Sequence, residues 1–319
     1  MRLHGYLLFL LLLPLAAVSS DDESASDPQA LLQGMAEASA SASFHGLLVY
    51  GQSNNLDAME VVRLADAGRE RVYSLTGQTR EMLRQDGHTR WILPRERTVV
   101  LDQGQRKQPP GAISQEQIAE LPEWYRLSFR GNDRVAGRSS RVVDLEPRDA
   151  YRYGYRLWLD KDTGLLLRSE CRDHDSRVLE HFMYVRLEFD ADRVRASAEQ
   201  HINDDGFRVL DSGTTALSEP DERWLARELP AGFRLIAANR RTPPGADEGV
   251  LHFLYGDGLA AVSVYVTQTP KHELEGYAER GNTRMAGRTI GEHHVTVVGE
   301  VPRITVERVL EGIGVESSQ

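Results

Sequence analysis

The feature that most constrains this chain is a rhythm of short apolar runs and breakers. Phe44–Tyr50, Glu60–Leu64, Glu70–Leu75, Arg80–Arg84, Thr89–Leu93 and Thr98–Leu101 are rich in β-branched or aromatic residues. Between them stand Asp66-Ala67-Gly68, Thr76-Gly77 and Asp86-Gly87. Strands at such spacing, with glycine able to turn the chain, describe an antiparallel meander. Pro109-Pro110-Gly111 ends this run, and Tyr125–Phe129, Arg141–Leu145, Tyr151–Leu159, Leu165–Cys171 and Val178–Phe189 resume it. Asp160 to Gly164 joins two of these strands as a hairpin, Gly164 supplying the left-handed residue. Tyr151, Tyr153, Tyr155, Leu157 and Leu159 alternate with Arg152, Gly154, Arg156 and Trp158, which predicts one apolar face and one mixed face. About eleven strands in one run predict a large curved sheet or open antiparallel β-barrel, whose hollow its own helices or a ligand must fill.

Two helices are expected around this sheet. Leu31, Leu32, Met35 and Ala36 have helical spacing, and Ser114 to Leu121 has the pattern of a helix opened by a Ser114/Gln117 capping box. From 201 to 222 the pattern dissolves into polar residues with Gly and Pro, the expected linker. Beyond it Phe233–Ala238, Val250–Tyr255, Leu259–Thr267, Arg284–Ile290 and His293–Gly299 predict a second, smaller antiparallel sheet. Pro302 can open a helix with Ile304, Val306, Val309 and Leu310 as its apolar stripe. Gly312 to Gln319 is expected to fray. The fold class is thus mainly β with some helix, in two units at 27–200 and 223–312.

Residues 1–20 carry a cation at Arg2, an apolar run broken at Pro14 and a small-residue exit, the form of a cleaved secretory signal peptide. That run is too short and interrupted for a comfortable membrane span. The single Cys171 excludes an intrachain disulfide and a four-cysteine zinc site. With 38 Lys plus Arg against 48 Asp plus Glu, the chain lacks the basic footprint of a generic nucleic-acid binder.

Catalytic and cofactor motifs are not found. Gly256-Asp257-Gly258-Leu259-Ala260-Ala261 matches a dinucleotide fingerprint in form, but a period-2 strand follows where a helix is required, so a tight hairpin is expected. His272-Glu273 begins a zinc-protease motif that Gly276 ends. His293 and His294 point to opposite faces of a strand and cannot share a metal there. His174 and His181 have Asp173, Asp175 and Glu180 nearby without a ligand spacing. No catalytic residue, cofactor or metal is expected. Charge is more informative: Asp21 to Val62 holds seven acids and no Lys or Arg, whereas Arg63 to Lys107 holds ten cations against six acids. Arg80, Arg84 and Arg90 are the candidates to meet an anionic group there. The alternative is a solvated face whose charges pair with neighbouring acids.

Several further stretches stand out: Arg134-Val-Ala-Gly-Arg138, Pro147-Arg-Asp149 with Arg152-Tyr-Gly154, and Leu159-Asp-Lys-Asp-Thr-Gly-Leu165 with Ser169. In the second unit they are Leu229-Pro with Gly232-Phe233, Tyr255-Gly-Asp-Gly-Leu-Ala260, and Thr296 to Pro302 with Glu307-Arg-Val309. In their order and span, from about residue 30 to residue 310, these stretches resemble the RseB/MucB family of periplasmic regulators. It implies an open barrel similar to the lipoprotein carriers LolA and LolB, and a smaller sheet with helical cover. It also implies binding to the periplasmic part of an RseA/MucA-type anti-sigma factor, which is thereby shielded from the site-1 protease DegS. Lipid, lipopolysaccharide or mislocalised lipoprotein acyl chains would release it and free an envelope-stress sigma factor. On alternation alone, Tyr73, Leu75, Leu83, Trp91, Leu93 and Leu157 are expected to line the lipid cavity. An ordinary core is the other reading of these six, a periplasmic lipid carrier the competing function, and an exported hydrolase the third.

Overall fold

The computed structural model describes residues 26–314 except 53–54, 86, 103–112, 243–248 and 269–273. The expected signal peptide, Asp86, Arg106, Lys107, the Pro109-Pro110-Gly111 break and the His272-Glu273 pair lie outside the described residues.

The first meander is β1 (Phe44–Gln52), β2 (Asn55–Leu64), β3 (Arg69–Ser74), β4 (Glu81–Gln85), β5 (His88–Leu93) and β6 (Thr98–Asp102). The second is β7 (Tyr125–Val135), β8 (Arg138–Pro147), β9 (Gly154–Asp160), β10 (Leu166–Arg172) and β11 (Val178–Glu188). The pairing of β1 with β11 fuses the two, and β12 (Arg208–Asp211) adds to β6 in parallel. The order β12-β6-β5-β4-β3-β2-β1-β11-β10-β9-β8-β7 leaves β12 and β7 as edges, so the twelve strands form an open sheet.

Helix α1 (Pro28–Ser41) starts where Asp27 accepts from the Gln29 N–H and Pro28 presets the first turn. It buries Leu32, Met35 and Ala38, spaced by threes along one stripe. The expected capping box at Ser114 and Gln117 opens α2 (Gln115–Trp124), which buries Ile118 and Leu121. Both helices pack with Tyr125, Val143, Leu145, Leu157, Leu159 and Leu166 in one core. On the other side of the sheet, α3 (Ala191–Ala198) packs Val194 and Ala198 on Val62.

The segment expected to be a linker is not structureless. Its β12 extends the large sheet, and β13 (Thr214–Ala216) is the first strand of the small one. That sheet continues with β14 (Arg234–Arg241), β15 (Val250–Gly256), β16 (Ala261–Gln268), β17 (Gly276–Arg280), β18 (Thr283–Ile290) and β19 (His293–Gly299), in the order β13-β14-β15-β16-β19-β18-β17. One face carries Phe253, Tyr255, Val262, Val264, Val266, Val295 and Val297 against Val306, Val309 and Leu310 of α4 (Arg303–Glu311). The expected fraying begins too early. Ile313 is fully buried, and the carbonyls of Gly312 and Ile313 accept from Arg227 and Arg288.

Candidate functional site

Residues directly opposite one another in a ladder share a face, so the register sorts the large sheet without ambiguity. One row runs Gly46, Val61, Val72, Met82, Trp91, Val100 across six strands. The pairs Tyr50–Phe182, Phe182–Ser169 and Ser169–Leu157 carry the same face into the second meander, where Leu157 lies beneath α1 and α2. This inner face is therefore covered by helix over β7–β10. Towards β3–β6 the cover thins among the described residues: Ala38 of α1 shares a cluster with Phe44 and Val61, with Val72 at its margin. Val72, Trp91, Leu93 and Val100 are half-buried.

The outer face is sealed differently. Its rows are Leu47, Glu60, Tyr73, Glu81, Ile92, Val99 and His45, Val62, Arg71, Leu83, Arg90, Leu101. Arg71 pairs with Glu60 at 2.8 Å and with the fully buried Glu81, which also accepts from the Ile202 N–H at 2.7 Å. His45 meets Glu60 at 2.8 Å and Ser197 of α3 at 3.3 Å. A buried polar network needs all its members satisfied, and here the segment after α3 completes it.

The six residues expected to line one cavity are thus divided. Trp91, Leu93 and Leu157 lie on the inner face, Tyr73 and Leu83 on the outer, and Leu75 stands half exposed in the bend after β3. Leu157, 4% exposed, belongs to the packed core under the helices. Val72, Met82 and Val100, not named by alternation, share the cross-strand row of Trp91. The three arginines do not converge either. Arg84 pairs with Glu70 at 3.2 Å, Arg90 pairs with Asp204 on the outer side, and Arg80 is exposed in the turn before β4.

Where the sheets meet, Arg152 is fully buried, against the expectation that it lies on a mixed face. It precedes β9, and its guanidinium reaches Asp149, the Ala231 carbonyl and Asp257 of the small sheet. The expected hairpin at Gly256-Asp257-Gly258 is present between β15 and β16. Nearby, a cleft of about 440 Å³ is lined by Asp102 of the large sheet and the polar face of the small one. That face presents Asn239, Arg241, Ser263 and the stacked rings of His252 and Tyr265, 4.6 Å apart. The Asn239 amide nitrogen is buried with no partner among the described residues. Glu300 also lines the cleft. Burial, with the carboxylates of Glu180 and Glu300, holds the Tyr50 hydroxyl far above its ordinary range. Among the described residues no group of three or more His, Cys, Asp and Glu is placed to hold a metal.

Comparison with known proteins adds the following. Residues 27–204 match the model of the MucB/RseB N-terminal domain, and residues 218–314 that of the MucB/RseB C-terminal domain. The sigma factor AlgU regulatory protein MucB of Pseudomonas aeruginosa is 33% identical over 324 residues, covering 98% of both chains. The sigma-E factor regulatory protein RseB of Escherichia coli is 24% identical over 91% of each. The solved complex of Pseudomonas aeruginosa MucA with MucB matches with a TM-score of 0.67 at 28% identity, covering 89% of this chain and 96% of that one. A crystal structure of MucB with MucA(peri) matches with a TM-score of 0.64 at 30% identity, covering 89% and 97%.

Proposed function

Because the chain belongs to the MucB/RseB family, we propose that it is an exported periplasmic regulator that binds the periplasmic segment of a MucA-like anti-sigma factor and lets go when lipid arrives. The observation that carries this reading is the family match across both units, together with its likeness to MucB solved with MucA. In this reading residues 1–20 are removed on export, 27–200 form the lipid-sensing unit as an open barrel, and 223–312 form the docking unit. The cleft between the sheets suits an extended peptide, because Asn239, Ser263 and Arg241 offer hydrogen-bond partners to a backbone beside the apolar Leu254 and Val298. While the segment is held there, a site-1 protease is kept from it.

The lipid surface is the thinly covered inner face around Val72, Trp91, Leu93 and Val100, a revision of the six residues expected from alternation. An acyl chain laid on it gains about 0.8 kcal/mol per buried methylene. Lipid weakens partner binding by no more than the difference in its own affinity for the two states. The test is titration of the mature chain with a fluorescent anti-sigma segment, with and without lysophospholipid or lipopolysaccharide fragments. A weaker constant with lipid is expected, and an unchanged one removes the switch. The thin cover over β3–β6 also suits a lipid carrier. Catalysed delivery of labelled lipid to acceptor vesicles, with no binding of the anti-sigma segment, would favour that role.

A further inference from the structure

Two motifs that read as turn signatures in the sequence meet across the boundary between the sheets. Asp257 uses its two oxygens for different purposes. Oδ1 accepts from the Leu259 and Ala260 N–H groups at 2.9 and 2.8 Å, which is all that the hairpin turn requires. Oδ2 faces the large unit, accepting from Arg152 Nη1 at 2.6 Å and from the Tyr125 hydroxyl at 3.3 Å. Arg152 is equally committed. Nε and Nη2 donate to Asp149 at 3.1 and 2.9 Å, and Nη2 donates to the Ala231 carbonyl at 2.6 Å. The rings of Trp124, Tyr125 and Phe233 surround it at 5.4–5.6 Å. Gly232, at φ +81°, lets the small unit close on Trp124, where any Cβ would overlap the indole.

Stability alone does not explain this choice of residues. Both side chains are 0% exposed, and burying an ion pair costs several kcal/mol per ion before attraction returns it. Burial pushes the Asp257 carboxyl above its ordinary range despite the guanidinium beside it. An apolar seam would hold the units together as well. What a guanidinium with four directed bonds to three groups adds is a single allowed angle. The seam also touches the packed core of the large unit: Tyr125 belongs to the cluster under α1 and α2, and Leu259, two residues past Asp257, packs against that cluster.

We propose that Arg152, Asp257 and Tyr125 form a latch that fixes the angle between the two units, and that the partner is held only while it is shut. The angle stands independently of the proposed function; the consequence for the partner rests on it. Any repacking of the core around Tyr125 and Leu259 shifts the atoms that meet Asp257, which couples the interior of the large unit to the seam. Arg152 and Asp257 are positioning residues.

The test is Asp257→Asn in the mature chain. The turn survives, since Asn Oδ1 still accepts, while the charge that holds Arg152 is lost. Small-angle scattering is expected to show a larger, broader particle. A labelled periplasmic segment of MucA is expected to bind at least about fivefold more weakly, with the far-ultraviolet spectrum unchanged. Tyr125→Phe keeps the test open if Asp257→Asn does not fold, with a smaller change in the same direction. Arg138→Gln breaks the 2.8 Å pair with the buried Asp160 inside the large unit, and is expected to lower Tm without altering scattering or binding. If the Asp257 and Tyr125 variants behave like Arg138→Gln, the latch is wrong. If wild type does not bind the segment, the partner reading fails and scattering alone decides the latch.

Discussion

The two halves of the large sheet share a strand grammar and differ in what covers their inner face. Over β7–β10, α1 and α2 press Leu145, Leu157 and Leu159 to within 4% of full burial. Over β3–β6 the same face keeps Val72, Trp91, Leu93 and Val100 half-buried. One continuous face thus ends as a closed core in one half and as a half-buried row in the other. The distinction lies in where the helices dock, and that is open to measurement.

The largest effect is expected from Leu157→Ala, which opens a cavity that its fixed neighbours cannot fill. It should cost about 3 kcal/mol in urea unfolding, whereas Val100→Ala should cost about 1 kcal/mol. Equal costs would erase the contrast between the halves. Trp91→Ala is next. Lysophospholipid affinity is expected to fall about tenfold, the scale of a lost aromatic contact, with a smaller loss of unfolding free energy than in Leu157→Ala. A large stability loss with unaltered lipid affinity would make Trp91 ordinary core. Ser114→Ala removes the cap of the covering helix and should cost about 1 kcal/mol, read as a lower Tm. Loss of lipid affinity in that variant would mean that α2 helps to form the lipid surface.

The smallest effect concerns pH. Burial works to raise Asp144 and Glu170, but hydrogen bonds from Arg156 and Arg130, and from Arg172 and Arg168, outweigh it and hold both below the usual carboxylate range. A lowered folded-state pKa contributes stability that is complete above the unfolded value and is lost as pH falls through the folded one. Unfolding followed between pH 5 and pH 2 should therefore show a shallower acid limb in Asp144→Asn and Glu170→Gln than in wild type. An identical limb would mean that these ladders contribute nothing in acid.

Most strands were legible because breakers and period-2 runs are local. The capping box at Ser114 and the Asp257-Gly258 turn were legible for the same reason. The candidate lipid surface was legible only in part. Trp91, Leu93 and Leu157 share the inner face, but Tyr73 and Leu83 lie on the opposite one, because alternation within a strand does not set the phase of the next. The strands β12 and β13 were missed, being short and bound by partners more than 20 residues away.

The amino-acid order by itself determined two antiparallel sheets, their turns and the helix stripes, since each depends on neighbours a few residues apart. Only the tertiary structure decided which face is covered and which Arg is buried. Arg152 reads as a surface residue until Asp257, 105 positions away, is brought to 2.6 Å. A charge enters the interior only where partners from distant strands converge, and no local pattern specifies that convergence.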